Sequence, residues 1–313
     1  MRAVVPEDGA VVVVDIDTPP AGPTRVRVAE AGICGSDHHM VAAGLRGFAL
    51  GHEFGGYLPD GRLVAVRPTG ECGTCVPCTT GVQNGCRLSW STAYGVAVNG
   101  GLAEFVDVDP QRVYPMAAGA RETDAALVEP LAIAWHGVRR AKVQPGSTAL
   151  VVGAGSIGLL TVVALRAWGV DAHIVARHPH QTAAAEALGA HVVDRAGDSA
   201  YPVVFDAVCT QQTVDACFAA AQPGGTVLEF GMFWASVQMT NTMLFKEVAL
   251  VPAMGYSHAA DHDDFREAAD LLAADHSVAD TLVTHTFSLD EAAEAFRVSA
   301  DRASGAIKVH LRP

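Results

Sequence analysis

The stretch that decides the fold is Ala149-Leu150-Val151-Val152-Gly153-Ala154-Gly155-Ser156-Ile157-Gly158. Its apolar start predicts a buried strand, and the glycines that follow have the spacing G-x-G-x-x-G. A helical pattern runs on from 156 to 168, so the motif lies where a strand passes into a helix. There the first glycine makes a tight turn, the second lets a pyrophosphate approach the main chain, and the third lets helix pack against strand. The stretch predicts a dinucleotide site, with these binding residues: Gly153, Gly155, Ser156, Ile157 and Gly158.

The alternation of strand and helix continues beyond this turn. Strands are predicted at 172–176, 191–193, 203–208 and 226–230, with a helix at 181–188. Such an alternation is typical of a parallel sheet with crossover helices. The sequence therefore predicts an α/β domain over this part of the chain.

The turn after the second of these strands bears on the choice of dinucleotide. In this fold an acidic residue about twenty positions beyond the glycines holds the ribose 2′-OH of NAD. Residues 176–180 contain no carboxylate, whereas Arg177 and His178 lie there. An arginine can neutralise the 2′-phosphate of NADP, so NADP is preferred to NAD. If Arg177 and His178 are only solvated loop residues, the choice stays open.

The segments before and after this α/β region have a different residue pattern. Short β-branched runs at 11–14, 25–28 and 63–66 alternate with glycine and proline, so residues 1–109 are predicted to be mainly β. The last segment is mixed, with helices predicted at 263–273 and 290–300 and a strand at 306–310. The 313 residues, half of them hydrophobic, favour two domains.

Composition narrows the possible partners and the compartment. The 34 acidic against 21 basic residues give a net charge of -13, which argues against nucleic acid as a partner. The chain shows no apolar signal core and no apolar run of membrane-spanning length, so we expect neither secretion nor a membrane. Seven cysteines, an odd number, fit thiols or metal ligands in a reducing compartment. The predicted location is the cytoplasm.

Four of the cysteines lie within fifteen residues, at Cys72, Cys75, Cys78 and Cys86. Four thiolates around one ion, with no open position, describe a structural tetrahedral zinc site. The alternatives are two disulfides or free thiols. Of the other three, Cys34 is considered below, and Cys209 and Cys217 are predicted to be inert packing residues.

A second, more dispersed set of ligands comprises Cys34, His52, Glu53 and Glu129. A thiolate, an imidazole and a carboxylate leave zinc a coordination position for water or substrate, as a catalytic site requires. Taken singly, a cysteine is more often a small buried hydrophobe, and a histidine more often a satisfied core residue.

The order of the motifs resembles the zinc-dependent medium-chain dehydrogenase/reductase family, and in particular its sorbitol, threonine and glucose dehydrogenase branches. The matching stretches span almost the whole chain: 32–37 (GICGSD), 51–53 (GHE), the four-cysteine lobe, 100–105 (GGLAEF), 129–132 (EPLA) and the glycine-rich turn. The resemblance implies a GroES-like, mainly β catalytic domain at 1–130 and 255–313, with a structural zinc lobe at 72–86. It implies a Rossmann domain at 131–254.

The resemblance also implies roles for individual residues. Cys34 and His52 become ligands of a catalytic zinc, with Glu53 and Glu129 as the carboxylates that bind it directly or through water. Ser36 and His39 become a proton relay. The family's habits imply two zinc ions per chain, a substrate that is a secondary alcohol, polyol or sugar, and a homodimer or homotetramer.

Three departures from the family limit the transfer. The chain between Gly56 and Val64 is shorter than the family's usual hairpin, so a trimmed strand pair is expected there. His38 lies beside His39 and can move the relay by one residue. The missing acidic residue after the second Rossmann strand weakens any analogy with NAD-specific members.

The predicted reaction is hydride transfer between a substrate C–OH carbon and a nicotinamide dinucleotide, because zinc lowers the pKa of a hydroxyl from about 16 towards about 7. Two alternatives stay open: a zinc-free enone or quinone reductase of the same fold, and a non-catalytic nucleotide-binding sensor with one structural zinc. Metal counting and an alcohol assay distinguish them.

Overall fold

The computed structural model describes residues 1–313 and divides into two compact units. One unit comprises Met1–Glu129 and Ser257–Pro313, and the other comprises Pro130–Tyr256. The expected Rossmann segment, 131–254, differs from the second unit by one residue at its start and two at its end. None of the helices combines the length and the apolar character needed to cross a bilayer.

The strands are numbered here in chain order. They are β1 (Arg2–Glu7), β2 (Ala10–Asp15), β3 (Arg25–Gly32), β4 (Glu53–Tyr57), β5 (Leu63–Val66), β6 (Phe105–Asp107), β7 (Val113–Pro115), β8 (Thr148–Val152), β9 (Asp171–Val175), β10 (His191–Val193), β11 (Tyr201–Asp206), β12 (Ala221–Glu229), β13 (Ala249–Pro252), β14 (His258–Ala259), β15 (His262–Asp263), β16 (Val283–Ser288) and β17 (Lys308–Arg312).

The α-helices follow the same convention. They are α1 (Gly35–Ala42), α2 (Val76–Thr79), α3 (Arg87–Ser91), α4 (Glu122–Ala141), α5 (Ser156–Ala167), α6 (Pro179–Ala187), α7 (Gln211–Ala220), α8 (Asn241–Phe245), α9 (Asp264–Ala274), α10 (Ser277–Leu282) and α11 (Ala292–Ala300). Short 3₁₀ turns lie at Gln83–Gly85, Pro110–Arg112 and Leu289–Glu291.

The first unit is organised by a seven-stranded, mainly antiparallel sheet. Its strand order is β16-β17-β3-β4-β5-β7, with β6 also paired to β3. Alternate residues of β3, such as Val26 and Val28, join Phe54 and Leu311 in a buried apolar cluster. Because β3 lies between β4 and β17, the sheet brings the ends of three distant segments together, and the candidate site is built there.

The second unit is a parallel sheet of order β10-β9-β8-β11-β12-β13. The helices α5 and α7 pack against the strands β8, β9, β11 and β12. Leu150 and Val204 on the central strands are fully buried, as expected of strands with both faces covered. The predicted α/β fold with a doubly wound parallel sheet is confirmed.

Several predicted boundaries are wrong by a few residues. The strand expected at 203–208 ends at Asp206, because its Oδ1 accepts the main-chain N–H groups of Val208 and Cys209 and turns the chain. The helix expected from 290 begins with a 3₁₀ turn, since Glu291 accepts from the main chain and the hydroxyl of Ser288. The last strand lies at Lys308–Arg312 instead of 306–310, where pairing with β16 sets its register.

Candidate active site

The turn that leads from β3 into α1 carries the first candidate ligand. Cys34 caps the helix, and its main-chain N–H donates to Asp37 Oδ2 at 2.8 Å. Asp37 is fully buried, and its other oxygen, Oδ1, lies 3.5 Å from His52 Nδ1. Asp37 therefore holds the cysteine turn by a hydrogen bond and lies beside Nδ1 of the imidazole, whose Nε2 is 3.3 Å from Ser36 Oγ.

His52 and Glu53 lie at the start of β4, next to Cys34. One ligand atom from each of Cys34, His52 and Glu53 lies within 4.8 Å of the other two. A thiol, an imidazole and a carboxyl group at this separation are a donor set that suits zinc. The structure thus brings together three of the four residues predicted for the catalytic metal.

Charge stabilises the protonated imidazole of His52. Burial opposes its charged form, but the carboxylate of Asp37 and the sulfur of Cys34 outweigh burial and raise its pKa well above the usual value. Asp37 and Cys34 therefore favour a positive charge at His52.

Lys308 is a site residue that the sequence analysis missed. Its Nζ donates to both carboxylate oxygens of Glu53, at 2.9 and 2.7 Å, and to the carbonyl oxygen of Ile33 at 3.2 Å. Only 2% of the Lys308 side chain and 1% of the Glu53 side chain are exposed. Burial raises the pKa of Glu53, but Lys308 and His52 outweigh this effect and lower it. Glu53 is therefore already held by a cation of the chain itself.

A signal for Lys308 was present in the sequence. In the last strand, apolar Ile307, Val309 and Leu311 alternate with Lys308, His310 and Arg312. Such a period of two places the charged side chains on one face. His310 and Arg312 hold a second buried carboxylate, that of Glu30, at 2.7 and 3.0 Å. The ionic face of β17 thus supports the floor of the site.

Glu129, the fourth predicted ligand, is buried near the same charges but lies outside the close set of three. Burial raises its pKa to about 8, while the charge of His52 acts in the opposite direction. Unlike Glu53, it has no lysine hydrogen-bonded to it among the contacts that define the site. Burial thus raises the pKa of Glu129, whereas Lys308 and His52 lower that of Glu53.

The predicted proton relay begins on α1. Ser36 Oγ lies 3.3 Å from His52 Nε2, and His39 is exposed on the same helix. His38 is engaged elsewhere, because its Nε2 lies 2.8 Å from Ser299 Oγ and its ring packs edge-on against Phe296. Burial lowers the pKa of His38. These contacts favour His39 over His38 as the group that meets solvent.

The four-cysteine lobe converges on one point. One sulfur from each of Cys72, Cys75, Cys78 and Cys86 lies within 4.8 Å of the others. Tetrahedral zinc with bonds of about 2.3 Å separates its sulfurs by roughly 3.8 Å, and Cys75 and Cys78 are 3.5 Å apart. The chain contains no disulfide. Main-chain N–H groups of Thr74 and Cys75 lower the pKa of Cys72 to about 6. The main-chain N–H of Cys78 lowers the pKa of Cys75, but burial and the sulfurs of Cys72, Cys78 and Cys86 outweigh it and raise that pKa.

The glycine-rich turn of the second unit has the geometry that a dinucleotide requires. Gly153 adopts φ of +102°, and a Cβ on Gly158 would strike the carbonyl oxygen of Gly153. Gly155 caps α5, and the space beside its Cα is open. The open space beside Gly155 lies at the N-terminus of α5, where main-chain N–H groups can bind an anion.

Arg177 and His178 lie after β9, as the sequence predicts for residues at the adenosine end of a dinucleotide. Arg177 is exposed; its main-chain N–H donates to Gln181 at 3.3 Å, and its guanidinium makes a long contact of 3.5 Å with Gln212. His178 caps α6 and stacks on His180. Both side chains are therefore accessible from solvent.

Comparison with known proteins agrees with this architecture. The family model described as alcohol dehydrogenase GroES-like domain matches residues 20–118, and the one described as glucose dehydrogenase C-terminus matches 123–311. L-Galactonate-5-dehydrogenase of Escherichia coli (strain K12) is 30% identical over 309 residues, covering 90% of this chain and 89% of that protein.

Two solved structures are similar over the full chain. A zinc-binding dehydrogenase from Sinorhizobium meliloti 1021 bound to NADP has a TM-score of 0.88 at 28% identity, covering 100% of this chain and 99% of that one. L-Idonate 5-dehydrogenase from Escherichia coli K-12 has a TM-score of 0.87 at 26% identity, covering 100% and 97%.

The fold, the ligand sets and these likenesses define a dehydrogenase with a GroES-like and a Rossmann unit. The chain belongs to the zinc-type medium-chain dehydrogenase/reductase family of alcohol and polyol dehydrogenases. It is an NAD(P)-dependent oxidoreductase of small molecules, so the predicted family, enzyme class and general function are confirmed.

Proposed function

We propose that the protein interconverts a secondary hydroxyl of a polyol or sugar with the corresponding ketone, using NADP(H) and a catalytic zinc. The observation that carries the proposal is the convergence of Cys34, His52 and Glu53 at ligand distance. The relatives support the substrate class, since they are named for L-galactonate, L-idonate and D-xylulose.

The donor set fits the metal. Cys34 and His52 would hold the catalytic ion together with Glu53 or Glu129, and the four-cysteine lobe would hold a second ion. When bound, zinc would lower the pKa of the substrate hydroxyl, and the nicotinamide would supply the hydride acceptor. Asp37 orients His52, because its Oδ1 faces Nδ1.

The chain's own residues move the proton. Ser36 accepts the proton of the substrate hydroxyl and passes it towards His39, which is exposed to solvent. Removal of the Ser36 hydroxyl in Ser36→Ala should lower kcat by about 10²- to 10⁴-fold, the usual contribution of a general acid–base step. His38 is not part of this path, because Ser299 engages it.

The preference for NADP rests on Arg177. An exposed guanidinium after β9, with no carboxylate nearby in sequence, suits a 2′-phosphate and has no use with a 2′-OH. In Arg177→Ala the KM for NADP should rise roughly 10- to 100-fold, the value of a charge-assisted hydrogen bond, while the KM for NAD stays within twofold. His178 is proposed as a further contact at this end.

We propose a homodimer, or a tetramer built from it. The parallel sheet ends at β13, an edge strand that lacks a partner on one side and carries partly exposed Leu250 and Val251. An exposed, apolar edge strand favours pairing with another edge. Light scattering of the wild-type protein and of Leu250→Lys tests this assembly. The cytoplasm remains the proposed location, because seven unpaired thiols suit a reducing compartment.

The function is tested by metal counting and by steady-state kinetics on the full chain. Wild-type protein, Cys34→Ser and Cys72→Ser are dialysed against zinc, and the bound zinc per chain is measured by inductively coupled plasma mass spectrometry. Each protein is then assayed with polyols, sugars and secondary alcohols plus NADP or NAD. Each variant should hold one ion fewer than the wild type. Only Cys34→Ser should lose turnover while its melting temperature stays close to that of the wild type.

Two results would contradict the proposal. Turnover of an enone or quinone that survives Cys34→Ser would indicate a zinc-free reductase. Inactivity of the zinc-loaded wild type with every substrate, together with tight NADP binding, would indicate a nucleotide sensor.

A further inference from the structure

A third group of potential metal ligands lies in the Rossmann unit and shares no residue with either predicted zinc site. Asp206 ends β11, Glu229 ends β12, and the two residues are opposite each other in the parallel ladder. Cys209 follows three residues after Asp206. One ligand atom from each of the three lies within 4.8 Å of the others.

All three side chains are buried, and their polar atoms are incompletely satisfied. Asp206 is 0%, Cys209 6% and Glu229 3% exposed. Asp206 Oδ1 accepts from the main chain at Val208 and Cys209, and Glu229 Oε2 lies 3.1 Å from Cys209 Sγ. Asp206 Oδ2 and Glu229 Oε1 accept no hydrogen bond. A buried carboxylate oxygen without a partner is costly, so each points to something that these side chains bind.

No cation of the chain compensates these carboxyl groups. Burial, followed by the charge of Asp206, raises the pKa of Glu229 to about 7, and the groups that act on either carboxyl include no lysine or arginine. The hydroxyl of Thr213 lowers the pKa of Asp206, but its hydrogen bond is donated to the carbonyl oxygen of Thr210 and not to the Asp206 carboxyl group. Glu53 differs from these two residues, because its carboxylate accepts hydrogen bonds from the Lys308 ammonium group.

The main chain is strained so that the thiol can occupy this position. Cys209 adopts φ of +60°, a left-handed conformation that is unfavourable for a residue with a Cβ. Opposite it, the N–H of Gly231 donates to Cys209 Sγ at 3.1 Å, and a Cβ on Gly231 would come within 2.7 Å of the sulfur. The left-handed main chain and the Gly231 N–H together hold the sulfur beside the two carboxyl groups.

We propose that Asp206, Cys209 and Glu229 bind a divalent metal ion of the zinc type, as a third metal site of the protein. The ion would give both unpartnered oxygens a ligand and would take Cys209 as thiolate, with the thiol proton and any proton on Glu229 released to solvent. A thiolate in the set selects zinc over calcium or magnesium, which take oxygen ligands.

The position of the loop suggests a structural role for the ion. Val208, between the two ligands of the loop, packs its Cγ2 against Gly153 of the dinucleotide turn, where a Cβ would collide with it. An ion that fixes residues 206–209 would therefore also fix the wall of that turn. The competing explanation is a metal-free cluster in which protonated Glu229 and the thiol share hydrogen bonds.

The test compares zinc binding by four forms of the full-length protein: wild type, Cys209→Gly, Glu229→Gln and Cys217→Ala. Cys217 is the matched control, since it is a buried thiol of the same unit outside the ligand set. Each protein is stripped of metal with a chelator and dialysed against zinc, and the zinc bound per chain is then measured by inductively coupled plasma mass spectrometry. We expect Cys209→Gly and Glu229→Gln each to hold one ion fewer than the wild type, and Cys217→Ala to hold the same number.

Thermal melts give a second readout that folding defects cannot imitate. Glycine relieves the positive φ but removes a buried thiol, so the readout is the rise in melting temperature on adding zinc, which should be larger in the wild type than in Cys209→Gly. Equal zinc counts in all four proteins, or an equal zinc-dependent rise in melting temperature in wild type and both ligand variants, would overturn the proposal. If Cys209→Gly does not fold, the count for Glu229→Gln decides.

Discussion

The buried ion pair between Lys308 and Glu53 makes a quantitative prediction about the floor of the active site. In Lys308→Met the Nζ is lost from three hydrogen bonds, two of them to Glu53, at a point where neither side chain is more than 2% exposed. Removing one partner of a buried pair leaves an uncompensated charge, which costs about 3–5 kcal/mol. An exposed pair is worth only about 0–1 kcal/mol, so the two cases differ clearly.

The assay must report locally, because a chain of two compact units need not unfold in one step. Hydrogen–deuterium exchange of the chelator-treated protein in increasing urea gives the free energy of opening for peptides that contain β4 and β17. That free energy should fall by about 3–5 kcal/mol in Lys308→Met. The double variant Lys308→Met/Glu53→Gln should recover about 2–3 kcal/mol of the loss, since the buried charge is then gone.

Lys246 provides the matched control. Its Nζ also makes three hydrogen bonds, to the carbonyl oxygens of Phe218, Ala219 and Ala221 near the end of α7, but it faces no carboxylate there. Lys246→Met should cost about 1–2 kcal/mol, the value of a cation at a helix C-terminus. A loss below about 1 kcal/mol in Lys308→Met, or a double variant no more stable than Lys308→Met, would refute the reasoning.

Three further predictions concern other parts of the chain. Cys72→Ser should release one ion and make the cysteine lobe sensitive to limited proteolysis; an unchanged digestion pattern would contradict this. Gly158→Ala should lower the free energy of unfolding by about 1–3 kcal/mol and weaken NADPH binding, because the new Cβ strikes the Gly153 carbonyl oxygen; unaltered binding in a fluorescence titration would argue against the proposed turn. Burial raises the pKa of Glu30, but His310 and Arg312 outweigh burial and lower this pKa below 4.5. Ionised Glu30 therefore stabilises the fold above pH 4.5, and this contribution is lost as the pH falls through the lowered pKa. In melts from about pH 6 to pH 3, Glu30→Gln should show a weaker loss of melting temperature than the wild type, and parallel curves would disprove the assignment.

The sequence predicts well where the deciding interactions are local. The strand, glycine turn and helix around Gly153 are found within a residue or two, because the apolar run and the glycine spacing act over ten positions. The end of β11 is different. Asp206 folds its carboxyl group back onto the next main-chain N–H groups and ends the strand two residues early, although Ala207 and Val208 extend the apolar pattern.

The candidate site divides along the same line. The motifs around Cys34, His52 and the four cysteines announce metal ligands by residue type and spacing, and the fold brings each set to ligand distance. Lys308 meets Glu53 across 255 positions of sequence, because β3 pairs with both β17 and β4. No spacing rule identifies it, although its place in an alternating strand marks it as unusual.

One physical rule links the missed lysine to the third metal site: a buried carboxylate must have a partner. Glu53 satisfies the rule with Lys308, and Glu30 satisfies it with His310 and Arg312, so those two carboxylates are explained by the chain alone. Asp206 and Glu229 are similarly buried, each has an oxygen within 4.8 Å of the other, and no lysine or arginine acts on either carboxyl group. Cationic side chains of the protein partner the buried carboxylates Glu53 and Glu30 in the first unit, whereas none partners Asp206 and Glu229 in the Rossmann unit. We therefore infer that the positive charge that balances Asp206 and Glu229 comes from outside the chain.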